Sequence, residues 1–162
     1  MAAENGSKLV FCFFFTASIV FIDQITKQYA EKNLIYGEVV EIFPGIRMVL
    51  LHNPGAAFGI LSNQSGWQVG FLVSVSLLAA IGLVLWIWLQ RHESCYTLLP
   101  LVLVLAGAIG NGIDRVRFGF VVDFISLYYE RWSWPTFNVA DLVISLGVLL
   151  LILKSFSSKP DG

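Results

Sequence analysis

The stretch Trp67–Leu89, WQVGFLVSVSLLAAIGLVLWIWL, decides the architecture. It carries no charge from end to end, and it exceeds the roughly 20 mainly apolar residues that a helix needs to cross a bilayer. Working outward, Tyr96–Ile113 is a second uncharged run, and Trp132–Leu153 is a third whose only charge is Asp141. On the N-terminal side Leu9–Ile22 is uncharged and reaches Thr26 if Asp23 is included. These runs predict four transmembrane helices over 9–26, 67–89, 96–113 and 132–153. Composition agrees. Of 162 residues, 57% are hydrophobic and 13% charged, about half the charged share usual in soluble domains. Mean hydropathy is +0.76. A soluble chain this small has too much surface to hide so much apolar side chain. The net charge of −1 excludes the basic footprint of a general nucleic-acid binder.

The first run has Lys8 before its apolar stretch, as a cleaved secretory signal would. No small-x-small cleavage site follows it; Asp23, Gln24 and Lys27 do, which favours a retained helix. Four spans place both termini on one side. Lys8, Arg91, Lys154 and Lys159 then lie on that side, and Lys27, Lys32, Arg47, Arg115, Arg117 and Arg131 on the other. The positive-inside rule therefore leaves orientation open. Trp67, Trp86, Trp88, Trp132 and Trp134 fall near the expected helix ends, as an interfacial belt requires. The polar tail Ser155–Gly162 reads as frayed.

The long segment between the first two spans is β-rich over 38–61. Glu38–Phe43 and Ile46–His52 read as strands around Pro44-Gly45. A Pro-Gly pair suits a type II turn, which splays a tight hairpin, so a wider connection is expected. Asn53-Pro54-Gly55-Ala56-Ala57-Phe58-Gly59 reads as a loop of turn formers and small residues. The whole is one integral-membrane domain, 1–162, mainly α, with a small β element between helices one and two.

The informative polar residues are acids in apolar surroundings. Asp23 reads as ending the first helix and Asp114 the third. Asp141 lies inside the fourth, and Asp123 sits in Phe120–Ile125, an apolar run too short to span. A carboxylate at membrane depth is costly and usually faces a bundle interior or cavity. Lys27 and Arg115 supply Asp23 and Asp114 with ready structural partners. Asp123 and Asp141 have no basic neighbour within four residues, which marks them as the functional candidates. Asn138 shares a helical face with Asp141, and Asn111, Asp114 and Arg115 cluster at the end of helix three. The small residues of Ala106–Gly112 suit close helix packing; a dinucleotide fingerprint is excluded because no βαβ pattern surrounds them.

Other chemistries fare poorly. No His-Glu-x-x-His occurs, and His52 and His92 fall on opposite sides, so no metal is expected. Cys12 and Cys95 have no metal-like spacing and predict no disulfide framework. His52 reads as a strand-end residue. Two carboxylates without metal ligands suit aspartic chemistry: in a poorly solvated site both cannot easily ionise, and the pair shares a proton.

Five motifs in order carry a resemblance. They are Asp23-Gln24-Ile25-Thr26-Lys27, Asn53-Pro54-Gly55-Ala56-Ala57-Phe58, Gly110-Asn111-Gly112-Ile113-Asp114-Arg115, Val121-Val122-Asp123-Phe124 and Phe137-Asn138-Val139-Ala140-Asp141. Across nearly its whole length the chain resembles the lipoprotein signal peptidase (signal peptidase II) family of aspartic membrane proteases. One departure is Leu142, where the family leads one to expect a small or hydroxylated residue. The resemblance implies an aspartic protease of the bacterial cytoplasmic membrane; no cofactor is expected, because the chain lacks clustered ligands and the acids can activate water without a cation. Its substrate would be a prolipoprotein, cut on the amino side of a diacylglyceryl-modified cysteine. It implies Asp123 and Asp141 as the catalytic pair. Asp23, Asn53, Asn111, Asp114, Arg115 and Asn138 would support the site or contact substrate. It further implies cytoplasmic termini and a site near the outer surface. Membrane lipid is the expected partner, and a monomer is expected. Arg115 is open to two readings, a contact with lipid phosphate or a pair with Asp114 or Asp23. The competing class is a small proton-coupled transporter subunit with Asp123 and Asp141 as relay groups. A third is a non-catalytic scaffold assembling through the small-residue helix.

Overall fold

A computed structural model describes residues 2–55 and 66–157; the loop positions 56–59, the end of the expected β-rich segment and the last tail residues lie outside them. Among the described residues, four helices and four strands follow in the order α1 (Ala2–Asn33), β1 (Val39–Phe43), β2 (Ile46–Asn53), α2 (Trp67–Leu89), α3 (Cys95–Phe118), β3 (Val121–Tyr129), β4 (Trp132–Ser133) and α4 (Val139–Ser157). All four helices are long and apolar enough to cross a membrane. Their large side chains point outward in number: Val10, Phe14, Leu78, Leu85 and Leu149 are exposed. In a bilayer such a surface meets lipid rather than water.

α3 is the central helix, lying against α1, α2 and α4. Cys12, Ile87, Leu98, Leu101, Val102 and Leu105 form one buried cluster around it, and Ile19, Leu103 and Ala106 another. Its missing side-chain bulk permits this. A Cβ on Gly107 would stand 2.4 Å from the Ala140 carbonyl oxygen, and one on Gly110 2.6 Å from Asp23 Oδ2. The small-residue stretch therefore packs helices together, as expected.

Helix ends differ from the hydropathy reading. α1 continues ten residues past Asp23 to Asn33, and α3 continues past Asp114 to Phe118. Asp23 and Asp114 are interior because both pair with Lys27 and accept N–H bonds inside the fold, and an acid satisfied in that way gives a helix no reason to stop. α3 is stopped instead by Gly119, whose φ of 80° provides the left-handed C-cap. α4 begins at Val139 rather than Trp132. Pro135 has no N–H to give a helix and holds its predecessor extended. Trp132 and Trp134 thus lie on and just after a strand, not at a helix end. At the other terminus α4 remains helical to Ser157, so Ser155 and Phe156 are not frayed.

The sheet is antiparallel in the order β1-β2-β3-β4, at the end where α1 and α3 finish and α2 and α4 begin. The two expected strands are present, but β3 and β4 join them. The 120–125 run is thus neither a span nor a loop; it is the start of the strand that carries Asp123. Leu51 lies opposite Asp123, His52 opposite Val122 and Asn53 opposite Val121. The Pro44-Gly45 connection is tight, with Phe43 paired to Ile46. Gly45 takes φ 89°, and an irregularity between Glu41 and Phe43 absorbs the twist that this turn would otherwise splay. Ala30 of α1 packs with Leu50, Val122 and Phe124, which fixes the sheet on the helices.

Candidate active site

β3 places Asp123 in the sheet, and the first turn of α4 places Asp141 beside it. Asn138 joins the two. Its side-chain amide donates to Asp123 Oδ1 at 2.7 Å, and its backbone N–H donates to Asp141 Oδ2 at 3.3 Å. Asn138 is also the N-cap of α4, its Oδ1 accepting from Asp141 N at 2.9 Å. This reciprocal exchange is a capping box built from Asn and Asp, in which each partner satisfies the other's free N–H. Helix capping thus fixes one carboxylate and, through the same residue, the other.

Each acid has a second amide partner. Asn53, at the end of β2, donates to Asp123 Oδ2 at 3.2 Å, while its own Oδ1 accepts from Gly55 N. Asn111 of α3 donates to Asp141 Oδ1 at 2.8 Å. Asp123 is 3% exposed. Burial, assisted by the Asp141 charge, pushes its carboxyl up to about 7, against the lowering effect of the bonds from Asn53 and Asn138.

Behind this layer lies an ionic one. Lys27 Nζ donates to Asp23 Oδ2 at 2.9 Å, Asp114 Oδ2 at 2.9 Å and Asn111 Oδ1 at 3.0 Å. Three hydrogens meet three acceptors, which is what a buried ammonium requires. Asp23 Oδ1 accepts from Ala140 N at the positive end of α4, and Asp114 Oδ2 from Val122 N on β3. Gln24 Nε2 donates to Asp114 Oδ1 at 2.8 Å. The network therefore pins α1, α3, α4 and β3 to one another directly behind the two acids.

Both acids, Asn53, Asn111 and Arg115 line a cavity of about 630 Å³. Its walls are apolar side chains of α2, α3 and α4 together with Trp134, Phe137 and Leu142. Arg115 does not pair with Asp114 or Asp23. Its guanidinium donates to the carbonyls of Gly55 at 3.0 Å and Asn111 at 3.4 Å, and its buried Nε has no partner among the described residues. Leu142 contributes a side chain to the cavity and takes no hydrogen bond away from Asp141.

All eight residues singled out in the sequence thus converge. Lys27 and Gln24 were not among them. The i,i+4 spacing of Asp23 and Lys27 exposes the first contact of that lysine, but nothing local exposes its contact with Asp114. His52 does end β2, bonded to Glu31 at 2.8 Å and stacked on Phe120. Among the described residues no cluster of three or more His, Cys, Asp or Glu has a metal-binding arrangement.

Comparison with known proteins agrees with this geometry. The family model described as signal peptidase (SPase) II matches residues 15–157. A lipoprotein signal peptidase of Hydrogenovibrio crunogenus is 44% identical over 144 residues, covering 88% of this chain and 83% of that protein. One from Coxiella burnetii is 37% identical, covering 99% of this chain and 100% of that protein. Among solved structures, a bacterial membrane enzyme determined by the in meso method superposes with a TM-score of 0.79 at 31% identity. It covers 93% of this chain, which covers 92% of it. With the match spanning both carboxylates and all four helices, the chain belongs to the signal peptidase II family.

Proposed function

We propose that the protein removes signal peptides from bacterial prolipoproteins, as an aspartic endopeptidase acting through Asp123 and Asp141. The bond cut is the one on the amino side of a diacylglyceryl-modified cysteine. The observation that carries this reading is the shared hold of Asn138 on both carboxylates at one cavity. Membership in a peptidase family favours hydrolysis over proton transport.

The pair works by dividing one proton. Near neutrality the Asp123 carboxyl is poised to hold a proton, and the pair works with one member protonated and the other ionised. The ionised member takes a proton from a water, whose oxygen attacks the scissile carbonyl carbon. The protonated member gives its proton to the carbonyl oxygen. The tetrahedral intermediate collapses as the leaving nitrogen is protonated. The products are a signal peptide with a new carboxylate and a lipoprotein with a free amino group on the modified cysteine. Asn53, Asn111 and Asn138 hold the acids at working distance. Arg115 holds the chain at Gly55, which lies two residues after Asn53. Asp23 and Asp114 act through Lys27 as structural support. A substrate already in the bilayer needs a site at its surface, and membership in the signal peptidase II family supports the reading that the sheet end faces the outer side and both termini the cytoplasm. The unit acts as a monomer within a single domain and uses no metal.

The test is purified chain mixed with a diacylglyceryl-modified prolipoprotein and with its unmodified-cysteine form, both in the same bilayer and with chelator present. Cleavage just before the cysteine, with kcat/KM far higher for the modified form, is expected, because the anchor fixes the scissile bond at one depth. Uptake driven by a pH gradient without cleavage would assign the transporter class instead.

A further inference from the structure

A second cavity, of about 230 Å³, lies between the last turns of α1 and α3 and the start of β3. It is smaller than the roughly 300–1,000 Å³ of a pocket for a drug-sized ligand. Lys27 and Asp114 reach its inner wall, but their charges are spent on each other and on Asp23. Lys32 and Arg117 are different. Both line the cavity, and among the described residues no carboxylate pairs with either. Arg117 lies over the Phe118 ring at 4.8 Å, which orients the guanidinium without using its hydrogens. Glu31 is the one acid near them with capacity to spare. It uses Oε1 on His52, and the described residues give Oε2 no partner.

The position of the cavity narrows the occupant. α1 and α3 both end there, and both are long enough to cross a membrane. A site at the ends of two spans is at headgroup depth. Phe118, 47% exposed, flanks the mouth with an apolar face. Two cations beside one carboxylate complement a phosphodiester joined by a short arm to an ammonium. We propose that this cavity binds the phosphoethanolamine headgroup of a bilayer phospholipid, with its phosphate on Lys32 and Arg117 and its ammonium on Glu31. Guanidinium and ammonium donors both suit phosphate oxygens. A choline headgroup has no N–H to give Glu31, and a glycerol headgroup has no positive charge, so both should bind more weakly. Basic residues in the last turn of a helix also favour its dipole. That role alone requires no lipid and discriminates between none.

The experiment is native mass spectrometry of the purified full chain with phosphatidylethanolamine, phosphatidylcholine or phosphatidylglycerol of identical acyl chains, and separately with inorganic phosphate. Phosphatidylethanolamine should be retained most tightly. The pair Lys32→Gln with Arg117→Gln should weaken its binding by about tenfold or more, the loss expected for charge-assisted hydrogen bonds. Lys32→Arg with Arg117→Lys should preserve binding, and Glu31→Gln should remove the preference over phosphatidylcholine. Because neither cation belongs to the active site, prolipoprotein cleavage serves as the check that each variant is folded. Equal retention of the three lipids by the unaltered chain, or undiminished binding in the double variant, would overturn the assignment. Inorganic phosphate binding as tightly as the lipid would also overturn it, by making the site one for free phosphate.

Discussion

Asn138 divides its polar atoms among a helix cap, a sheet carboxylate and a helix carboxylate, so small changes around it are read directly by the chemistry. The Asp123 carboxyl, pushed up to about 7 by burial and by Asp141, loses its proton as pH rises through that value. If the pair needs one proton, kcat/KM falls on the alkaline side near pH 7. Asn53 stabilises the charged form of Asp123 through a 3.2 Å bond. Asn53→Ala should therefore raise the Asp123 pKa and move the alkaline limb to higher pH. A limb that stays in place or moves down in the pH–rate profile would contradict this sign. Lys27 makes the second prediction at this scale. Lys27→Met leaves the carboxylates of Asp23 and Asp114 buried together without a cation, a loss of about 3–5 kcal/mol for broken buried pairs. A marked fall in the thermal midpoint of purified protein is expected, whereas an unchanged midpoint would mean that the network carries little stability.

At the scale of elements, what hydropathy could see and what it could not divide cleanly. A helix facing lipid is apolar over its whole length, so the run at Trp67–Leu89 is legible to the residue. Strands β1 and β2 are legible from their β-branched residues and the Pro-Gly between them. β3 is not. Val121–Phe124 is buried on both faces, and a short continuous apolar run of that kind has no period to distinguish strand from helix. The ends of α1 and α3 were obscured for another reason. Charged residues mark a helix end only where they must reach water, and Asp23, Lys27 and Asp114 find one another inside instead. The five motifs, by contrast, made the candidate site residues legible one by one, although the contacts of Lys27 across α1 and α3 are a product of packing. Small residues on α3 make that packing possible, and two of them offer a matched test. Gly110→Ala drives a Cβ to within 2.6 Å of Asp23 Oδ2, whereas Gly112→Ala meets Ser76 Cβ at 3.4 Å. The first should lower stability by about 1–3 kcal/mol, the usual cost of overpacking, and reduce cleavage. The second should be tolerated. Similar melting curves and rates for the two variants would show that α3 has room to move.

Across the whole molecule, each structural layer serves the one inside it. Lipid-facing helices hold α3 at the centre, α3 holds the Lys27 network, and the network fixes the start of α4 and the face of β3. The two acids come from different elements, one strand and one helix, and that frame brings them to one cavity with Asn138 bonded to both. They should therefore act as a unit, and losses from a unit do not add. The measurement that bears most directly on this is the cleavage rate of a diacylglyceryl-modified prolipoprotein by purified Asp123→Asn, Asp141→Asn and the double variant, each with intact helix content. The expected result is near-complete loss in each single variant, with the double variant scarcely worse than either. Substantial turnover by either single variant, or a double variant whose loss is the product of the two, would contradict the assignment of Asp123 and Asp141 as one catalytic pair.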